Sequence, residues 1–109
     1  MKTNYQDIAL FISDVDGTLT DGGMYYSSEG EIMKKFHTRD AVGLRLLQEQ
    51  NIYVALITGE DSDIVRARAK KLNIELLYCG ITNKLEILAN LHVLVPAPRS
   101  RPCLAWSKL

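Results

Sequence analysis

The chain contains three short, uninterrupted runs of apolar residues, at 8–12, 54–57 and 76–79. Runs of this kind are typical of strands that are covered on both faces of a sheet. Three segments with helical character alternate with them, at residues 40–50, 61–72 and 84 to about 91. This order predicts the α/β class, with a Rossmann-like parallel sheet and helices that cross from strand to strand.

One segment between the first strand and the first helix breaks this alternation. Residues 24–27 and 31–36 have strand-like patterns, and the Ser-Glu-Gly sequence at 28–30 is typical of a tight turn. The sequence therefore predicts a β-hairpin inserted after the first strand. Because open α/β sheets bind ligands beyond the carboxyl ends of their strands, the hairpin is expected to overhang that region as a lid or an assembly surface.

The end of the chain has a different composition from the rest. Residues 92–109 hold all three prolines, the only tryptophan and three basic residues, whereas the last acidic residue is Glu86. A helix cannot run through Pro96 and Pro98, so only residues 92–95 are expected to add a short strand. We divide the chain into an organised part at 1–91 and an atypical tail at 92–109. A shifted reading frame near residue 91 would explain the tail.

Composition excludes several classes of function. The 109 residues are enough for one domain, and 13 Lys+Arg against 13 Asp+Glu argue against a nucleic-acid partner. The sequence has neither a run of 18 apolar residues nor a secretory signal pattern, so we expect no membrane partner. Two cysteines do not form a disulfide framework, which favours a cytoplasmic protein.

Residues suited to phosphate chemistry follow each of the three predicted strands. Asp14 and Asp16 follow the first strand, and two clustered carboxylates attract a cation such as Mg²⁺. A carboxylate can also attack phosphorus and form an aspartyl-phosphate. Thr58 ends the second strand and could hold a phosphate, which Lys84 could neutralise. The alternatives are ordinary turns and a solvated lysine, but together the residues predict a phosphoryl-transfer site.

These residues resemble the first three motifs of the haloacid dehalogenase-like phosphatases, with Asp-Val-Asp-Gly-Thr at 14–18, then Thr58 and Lys84. Three longer segments, together with the hairpin, are similar to the capless sugar-acid phosphatases of that family; they are Asp-Gly-Thr-Leu-Thr-Asp-Gly at 16–22, Thr-Arg-Asp-Ala-Val-Gly at 38–43 and Ile-Thr-Asn-Lys-Leu at 81–85. The resemblance covers about residues 6–90. It implies lipopolysaccharide biosynthesis as the setting.

The resemblance also implies a role for each motif residue. Asp14 would be the nucleophile, and Asp16 the general acid for the leaving group and then the base for water. Mg²⁺ would be held by Asp14 and the backbone carbonyl of Asp16. Thr58 and Lys84 would bind the phosphoryl oxygens. The hairpin would assemble a homotetramer in which a neighbouring subunit closes each site.

The implied substrate is a phosphorylated sugar acid, which needs further cations because it is itself an anion. The sequence Arg39-Asp40 is similar to the branch that acts on 3-deoxy-D-manno-octulosonate 8-phosphate. Thr58-Gly59-Glu60, followed by Arg68 and Lys71, resembles the branch that acts on 2-keto-3-deoxynononate 9-phosphate. Expected substrate contacts are therefore Arg39, Gly59, Glu60, Arg68 and Lys71, although a solvated helix face is the alternative for the last two. We expect the octulosonate ester as substrate, with nononate or sialic acid 9-phosphate as alternatives.

The sequence also departs from the family. Members carry a fourth motif, Gly-Asp-Asp-x-x-Asp, whose acids complete the Mg²⁺ site, and no acidic residue follows Glu86 here. The strands that carry this motif are expected to be missing, and Mg²⁺ to bind weakly. An inactive assembly module held together by the hairpin is therefore an alternative. A phospho-acceptor signalling domain is a third possibility, but it would accept phosphate at later strand ends, where this chain has Thr58, Gly59 and Gly80.

Overall fold

A computed structural model describes the backbone of residues 8–94 and 103–106 and the side chains of residues 8–90. The elements in chain order are β1 (Leu10–Ser13), β2 (Tyr25–Ser27), β3 (Gly30–Met33), α1 (Thr38–Glu49), β4 (Tyr53–Ile57), α2 (Asp63–Lys71), β5 (Leu76–Tyr78), α3 (Lys84–Leu94) and β6 (Cys103–Trp106). Every strand and helix predicted for residues 8–91 is present, with ends shifted by a few residues.

The main sheet has the strand order β5-β4-β1-β6, and all of its pairs are parallel. The register places Ser13 of β1 opposite Leu56 of β4, and Ile57 of β4 opposite Tyr78 of β5. The carboxyl ends of these strands therefore meet at one edge of the sheet. The predicted α/β class with a Rossmann-like parallel sheet is confirmed.

Successive residues of β4 face opposite layers of the fold, as the period of a strand requires. Val54 and Leu56 pack in one core cluster with residues of α1 and α2, and Ala55 and Ile57 pack in a second with residues of α3. The first cluster contains Val15, Leu44, Val54, Leu56, Val65, Ala69 and Ile74. Helices thus cover both faces of the sheet, which explains why its strands are apolar without alternation.

Each helix begins at a side chain that accepts a hydrogen bond from its first turn. His37 caps α1 through Nδ1, which accepts from the N–H of Arg39 at 3.0 Å. Ser62 caps α2 by accepting from the N–H of Val65, and Asn83 Oδ1 accepts from the N–H of Glu86 at the start of α3.

The predicted hairpin is formed by β2 and β3, which pair antiparallel. Gly30, in the turn of the hairpin, has a φ of +124°, a backbone conformation that residues other than glycine rarely adopt. A bridge between Thr20 and Phe36 closes the base of the hairpin. The hairpin exposes large apolar side chains: Met24, Tyr25, Tyr26, Ile32 and Met33.

The tail differs from the prediction in two ways. Residues 92–94 belong to α3 and not to a short strand, because apolar residues continue at helical spacing through Leu91 and Leu94. Residues Cys103–Trp106 form a fourth parallel strand, β6, which pairs with the otherwise free edge of β1. Pro96, Pro98 and Val95 lie outside the described residues. The division at residue 91 stays a prediction.

No helix among the described residues is both long enough and apolar enough to cross a membrane.

Candidate active site

The chain turns sharply where β1 ends, and this turn carries both predicted carboxylates. The carbonyl oxygen of Val15 accepts hydrogen bonds from the N–H groups of Thr18, Leu19 and Thr20, at 3.2, 2.8 and 3.1 Å. Gly17 has a φ of +76°, and this left-handed conformation allows the turn. Because Val15 is fully buried, it anchors the turn between Asp14 and Asp16.

Asp14 is paired with the lysine that begins α3. Lys84 Nζ lies 3.2 Å from Asp14 Oδ1, and the same oxygen accepts the N–H of Val15 at 2.8 Å. The Asp14 side chain is 16% exposed, whereas that of Lys84 is 42% exposed. The carboxylate thus lies at the floor of the site with a cation at its rim. Within the described residues, Asp14 Oδ2 has no hydrogen bond or ion pair.

Thr58 connects Asp16 to the loop that follows β4. Its hydroxyl donates to Asp16 Oδ2 at 3.4 Å and accepts from the N–H of Glu60 at 3.2 Å. The Thr58 carbonyl accepts from the N–H of Ile81 at 3.0 Å, which joins this loop to the segment after β5. Thr58 is almost fully buried. The loop after β4 is therefore bonded both to the turn after β1 and to the segment after β5.

All four predicted catalytic residues thus meet at one edge of the sheet, in two contacting pairs: Asp14 with Lys84, and Asp16 with Thr58. Gly59 and Glu60 adjoin this group as the exposed residues after Thr58. The roles of these residues stay predictions.

A fifth residue, which sequence reasoning missed, belongs to this group. Lys34 Nζ lies 2.6 Å from Asp16 Oδ1 and 3.1 Å from Glu31 Oε2, and the Lys34 side chain is 0% exposed. Burial lowers the pKa of Lys34, but the hydrogen bond to Asp16 and the ion pair with Glu31 outweigh it, so that the pKa lies above its ordinary value. Lys34 is therefore a buried cation. Lys35, beside it in the sequence, is exposed.

The three basic residues predicted to contact substrate lie apart from this group. Arg39 is exposed at the start of α1 and lines a surface cavity with Thr18 and Thr20. The guanidinium of Arg68 lies 5.2 Å from the centre of the Phe36 ring. Lys71 ends α2 and so lies at the end of that helix away from the carboxyl end of β4. No hydrogen bond or ion pair joins any of the three to the four catalytic candidates in the described part of the chain.

The carboxylates at the end of β1 form a donor set that fits Mg²⁺. Mg²⁺ in phosphate sites is usually held by one or two carboxylates and keeps several waters, which phosphate oxygens can replace. The carboxylate of Asp14 and the backbone carbonyl of Asp16 would supply protein ligands. Among the described residues there is no group of three or more His, Cys, Asp or Glu side chains that could hold a metal. The donor set is therefore a sparse one.

No known protein-family profile matches the chain. The chain is 42% identical over 84 residues to the 3-deoxy-D-manno-octulosonate 8-phosphate phosphatase of Haemophilus influenzae. This match covers 77% of the present chain and 47% of the phosphatase. The chain thus spans about half the length of the curated relatives it matches.

Solved structures show the same similarity. The cobalt-bound deoxy-D-mannose-octulosonate 8-phosphate phosphatase from Haemophilus influenzae matches with a TM-score of 0.85 and 35% identity, over 93% of this chain and 58% of that one. A 3-deoxy-D-manno-octulosonate 8-phosphate phosphatase from Moraxella catarrhalis, in complex with a magnesium ion, a phosphate ion and a KDO molecule, matches with a TM-score of 0.83 and 39% identity. The match covers 93% of the present chain and 57% of the Moraxella catarrhalis chain.

Proposed function

Since the chain belongs to the haloacid dehalogenase-like superfamily, we propose that its site hydrolyses the phosphomonoester of a sugar acid, 3-deoxy-D-manno-octulosonate 8-phosphate. The reaction uses Mg²⁺, passes through an aspartyl-phosphate and takes place in the cytoplasm. The observation that carries the proposal is the meeting of Asp14, Asp16, Thr58 and Lys84 at one edge of the sheet. The similarity to 3-deoxy-D-manno-octulosonate 8-phosphate phosphatases supports the choice of substrate.

Asp14 is the nucleophile in this proposal. Its Oδ1 is held by Val15 and Lys84, which leaves Oδ2 to attack phosphorus. The new bond joins Asp14 Oδ2 to phosphorus, and the bond from phosphorus to the sugar oxygen breaks. Asp16 then gives the departing sugar oxygen the proton that, in this proposal, it carries when the substrate binds. Lys84 and the Thr58 loop bind the phosphoryl oxygens and offset their charge.

Water completes the reaction. Asp16, having given up its proton, accepts one from the water that attacks the aspartyl-phosphate, and this step releases phosphate and restores Asp14. Mg²⁺, held by Asp14 and the carbonyl of Asp16, would supply positive charge that reduces the repulsion between the carboxylate and the incoming phosphate.

We also propose that the hairpin formed by β2 and β3 assembles a homotetramer. The exposed fractions of Tyr26 and Ile32 are 61% and 57%, and this apolar surface suits contact with further copies of the chain. In a tetramer, Arg39, Arg68 and Lys71 are available to a neighbouring site. Sedimentation should show a tetramer that Ile32→Glu dissociates and that the control Glu29→Gln, in the exposed hairpin turn, does not.

A second candidate function is an assembly module without activity. It is favoured by the sparse donor set among the described residues, since the fourth motif supplies further ligands for Mg²⁺ in the family. A substrate panel separates the candidates, by comparing phosphate release from octulosonate 8-phosphate with release from nononate and sialic acid 9-phosphates. Fastest release from the octulosonate ester supports the first proposal. Preference for a 9-phosphate would favour the alternative substrates, and a tetramer without any release would favour the module.

A further inference from the structure

Lys34 connects the hairpin to the carboxylate that is proposed as the general acid. It follows β3 directly, and its ammonium contacts Asp16 on one side and Glu31 on the other, at 2.6 and 3.1 Å. A lysine side chain is seldom fully buried, because both desolvation and lost side-chain entropy oppose it. The two carboxylates compensate for the burial of this one. The proposed reaction assigns no role to Lys34.

The contacts of Lys34 and Thr58 hold opposite oxygens of the same carboxylate. Lys34 donates to Asp16 Oδ1, and Thr58 donates to Asp16 Oδ2. A carboxylate held at both oxygens by groups on separate elements cannot rotate freely about its terminal torsion. Thr58 directly follows β4 of the sheet, whereas Lys34 directly follows β3 of the hairpin. The orientation of Asp16 therefore depends on the hairpin being in place.

The geometry points to Lys34 as a positioning residue for Asp16, an inference that rests on the proposed function. Lys34 acts through Asp16 and does not contact the phosphate. Glu31 holds Lys34 from the other side and so positions the ammonium. The hairpin has a second role on this view, since it orients the group that transfers the proton, in addition to presenting an assembly surface.

This role can be separated from a merely structural one by the choice of leaving group. A sugar alkoxide is strongly basic and needs a proton as it leaves, whereas p-nitrophenolate is a weak base and leaves without one. A misplaced Asp16 therefore slows departure of the sugar alkoxide far more than departure of p-nitrophenolate. A variant that only loses stability or folded fraction slows both equally.

The experiment compares Lys34→Met with the matched control Lys35→Met, whose lysine is adjacent but exposed. The kcat/KM of each is measured with octulosonate 8-phosphate and with p-nitrophenyl phosphate, because kcat/KM covers the steps up to departure of the leaving group and not the later water step, in which Asp16 serves both substrates. Lys34→Met is expected to lower kcat/KM for octulosonate 8-phosphate by about 100-fold, in line with the usual contribution of a general acid. It should lower kcat/KM for p-nitrophenyl phosphate by less than about threefold. Lys35→Met should change neither. Equal losses on both substrates, or no loss on either, would overturn the inference.

Two further measurements keep the test decisive. Lys34→Met leaves Glu31 without its partner, so the double variant Glu31→Gln/Lys34→Met restores charge balance and should show the same selective loss if the single variant folds poorly. If the wild-type chain hydrolyses neither substrate, the proposed function fails. The ¹³C resonance of the Asp16 carboxyl then tests the positioning contact alone. It should shift in Lys34→Met and stay in place in Lys35→Met, and an unchanged resonance in both would overturn the contact.

Discussion

The ammonium of Lys84 lies 3.2 Å from Asp14 Oδ1, although Asp14 follows β1 and Lys84 begins α3. The parallel sheet explains this contact. β1, β4 and β5 are neighbours in the order β5-β4-β1, and the segments after their carboxyl ends converge on one edge. A nucleophile and a cation from distant parts of the sequence are thereby brought together with one carboxylate oxygen left for chemistry.

Replacing Lys84 with methionine should weaken catalysis strongly. Lys84→Met removes the only cation that contacts Asp14 in the described residues, and with it the charge proposed to stabilise the transferring phosphoryl group. We expect kcat/KM for octulosonate 8-phosphate to fall by about 100-fold or more. Steady-state kinetics of the variant test this. Lys70→Met, which alters an exposed lysine on α2, should keep wild-type kinetics, and equal effects of both substitutions would contradict the assignment.

The hydroxyl of Thr58 should matter more than its methyl group. Thr58→Val keeps the shape of the side chain but leaves the Glu60 N–H without its acceptor and Asp16 Oδ2 without its donor. Thermal or urea unfolding should show a loss of about 1 to 3 kcal/mol, because the site is buried. Thr58→Ser retains the hydroxyl and should recover most of the stability and rate. A Thr58→Ser variant as impaired as Thr58→Val would contradict the role of the hydroxyl.

The sequence predicted the central site because each of its residues follows a strand. Apolar runs identify β1, β4 and β5, and once they are parallel neighbours, Asp14, Asp16, Thr58 and Lys84 must lie at a common edge. Lys34 could not be found in this way. Nothing in the sequence distinguishes it from Lys35, and its burial depends on how the hairpin folds back onto Asp16.

The tail was predicted less well for a similar reason. The nearby prolines disfavour regular structure in the local sequence, and the strand at Cys103–Trp106 forms because β1 offers a free edge. The end of α3 was also misjudged, since the residues at 92–94 suit a strand or a helix and only their continuation from Leu91 favours the helix. Pairing with a distant edge is not a property of the local sequence.

The pairing of β6 with β1 can be tested by proline substitution. Ala105 lies opposite Ile12 in the register, and Ala105→Pro removes an N–H and disrupts the strand. We expect a loss of about 1 to 3 kcal/mol in the free energy of unfolding. Ala105→Val, a change to a good strand former, should not destabilise the chain. An Ala105→Pro variant with wild-type stability would show that β6 contributes nothing to the folded sheet.

The stabilising effect of Lys34 should disappear at alkaline pH. Its pKa in the folded chain is raised above the ordinary value of 10.5, so the contribution of the ammonium is complete below about pH 10 and is lost as the pH rises through the folded-state value. At neutral pH, Lys34→Met should cost about 3 kcal/mol, since it leaves two carboxylates without their cation. Urea unfolding of both chains at several pH values tests this. A difference in stability that does not shrink above pH 10.5 would contradict it.

The central claim is that Asp14 carries out Mg²⁺-dependent transfer of phosphate from a sugar acid. The direct measurement is phosphate release from 3-deoxy-D-manno-octulosonate 8-phosphate over a magnesium titration, with the wild-type chain, with Asp14→Asn and with the control Asp63→Asn, whose side chain is 98% exposed. We predict that phosphate release by the wild-type chain rises with magnesium concentration without early saturation, because the ligand set is sparse. Release should persist in Asp63→Asn and be abolished in Asp14→Asn. Release that survives in Asp14→Asn, or no release by the wild-type chain at any magnesium concentration, would contradict the claim.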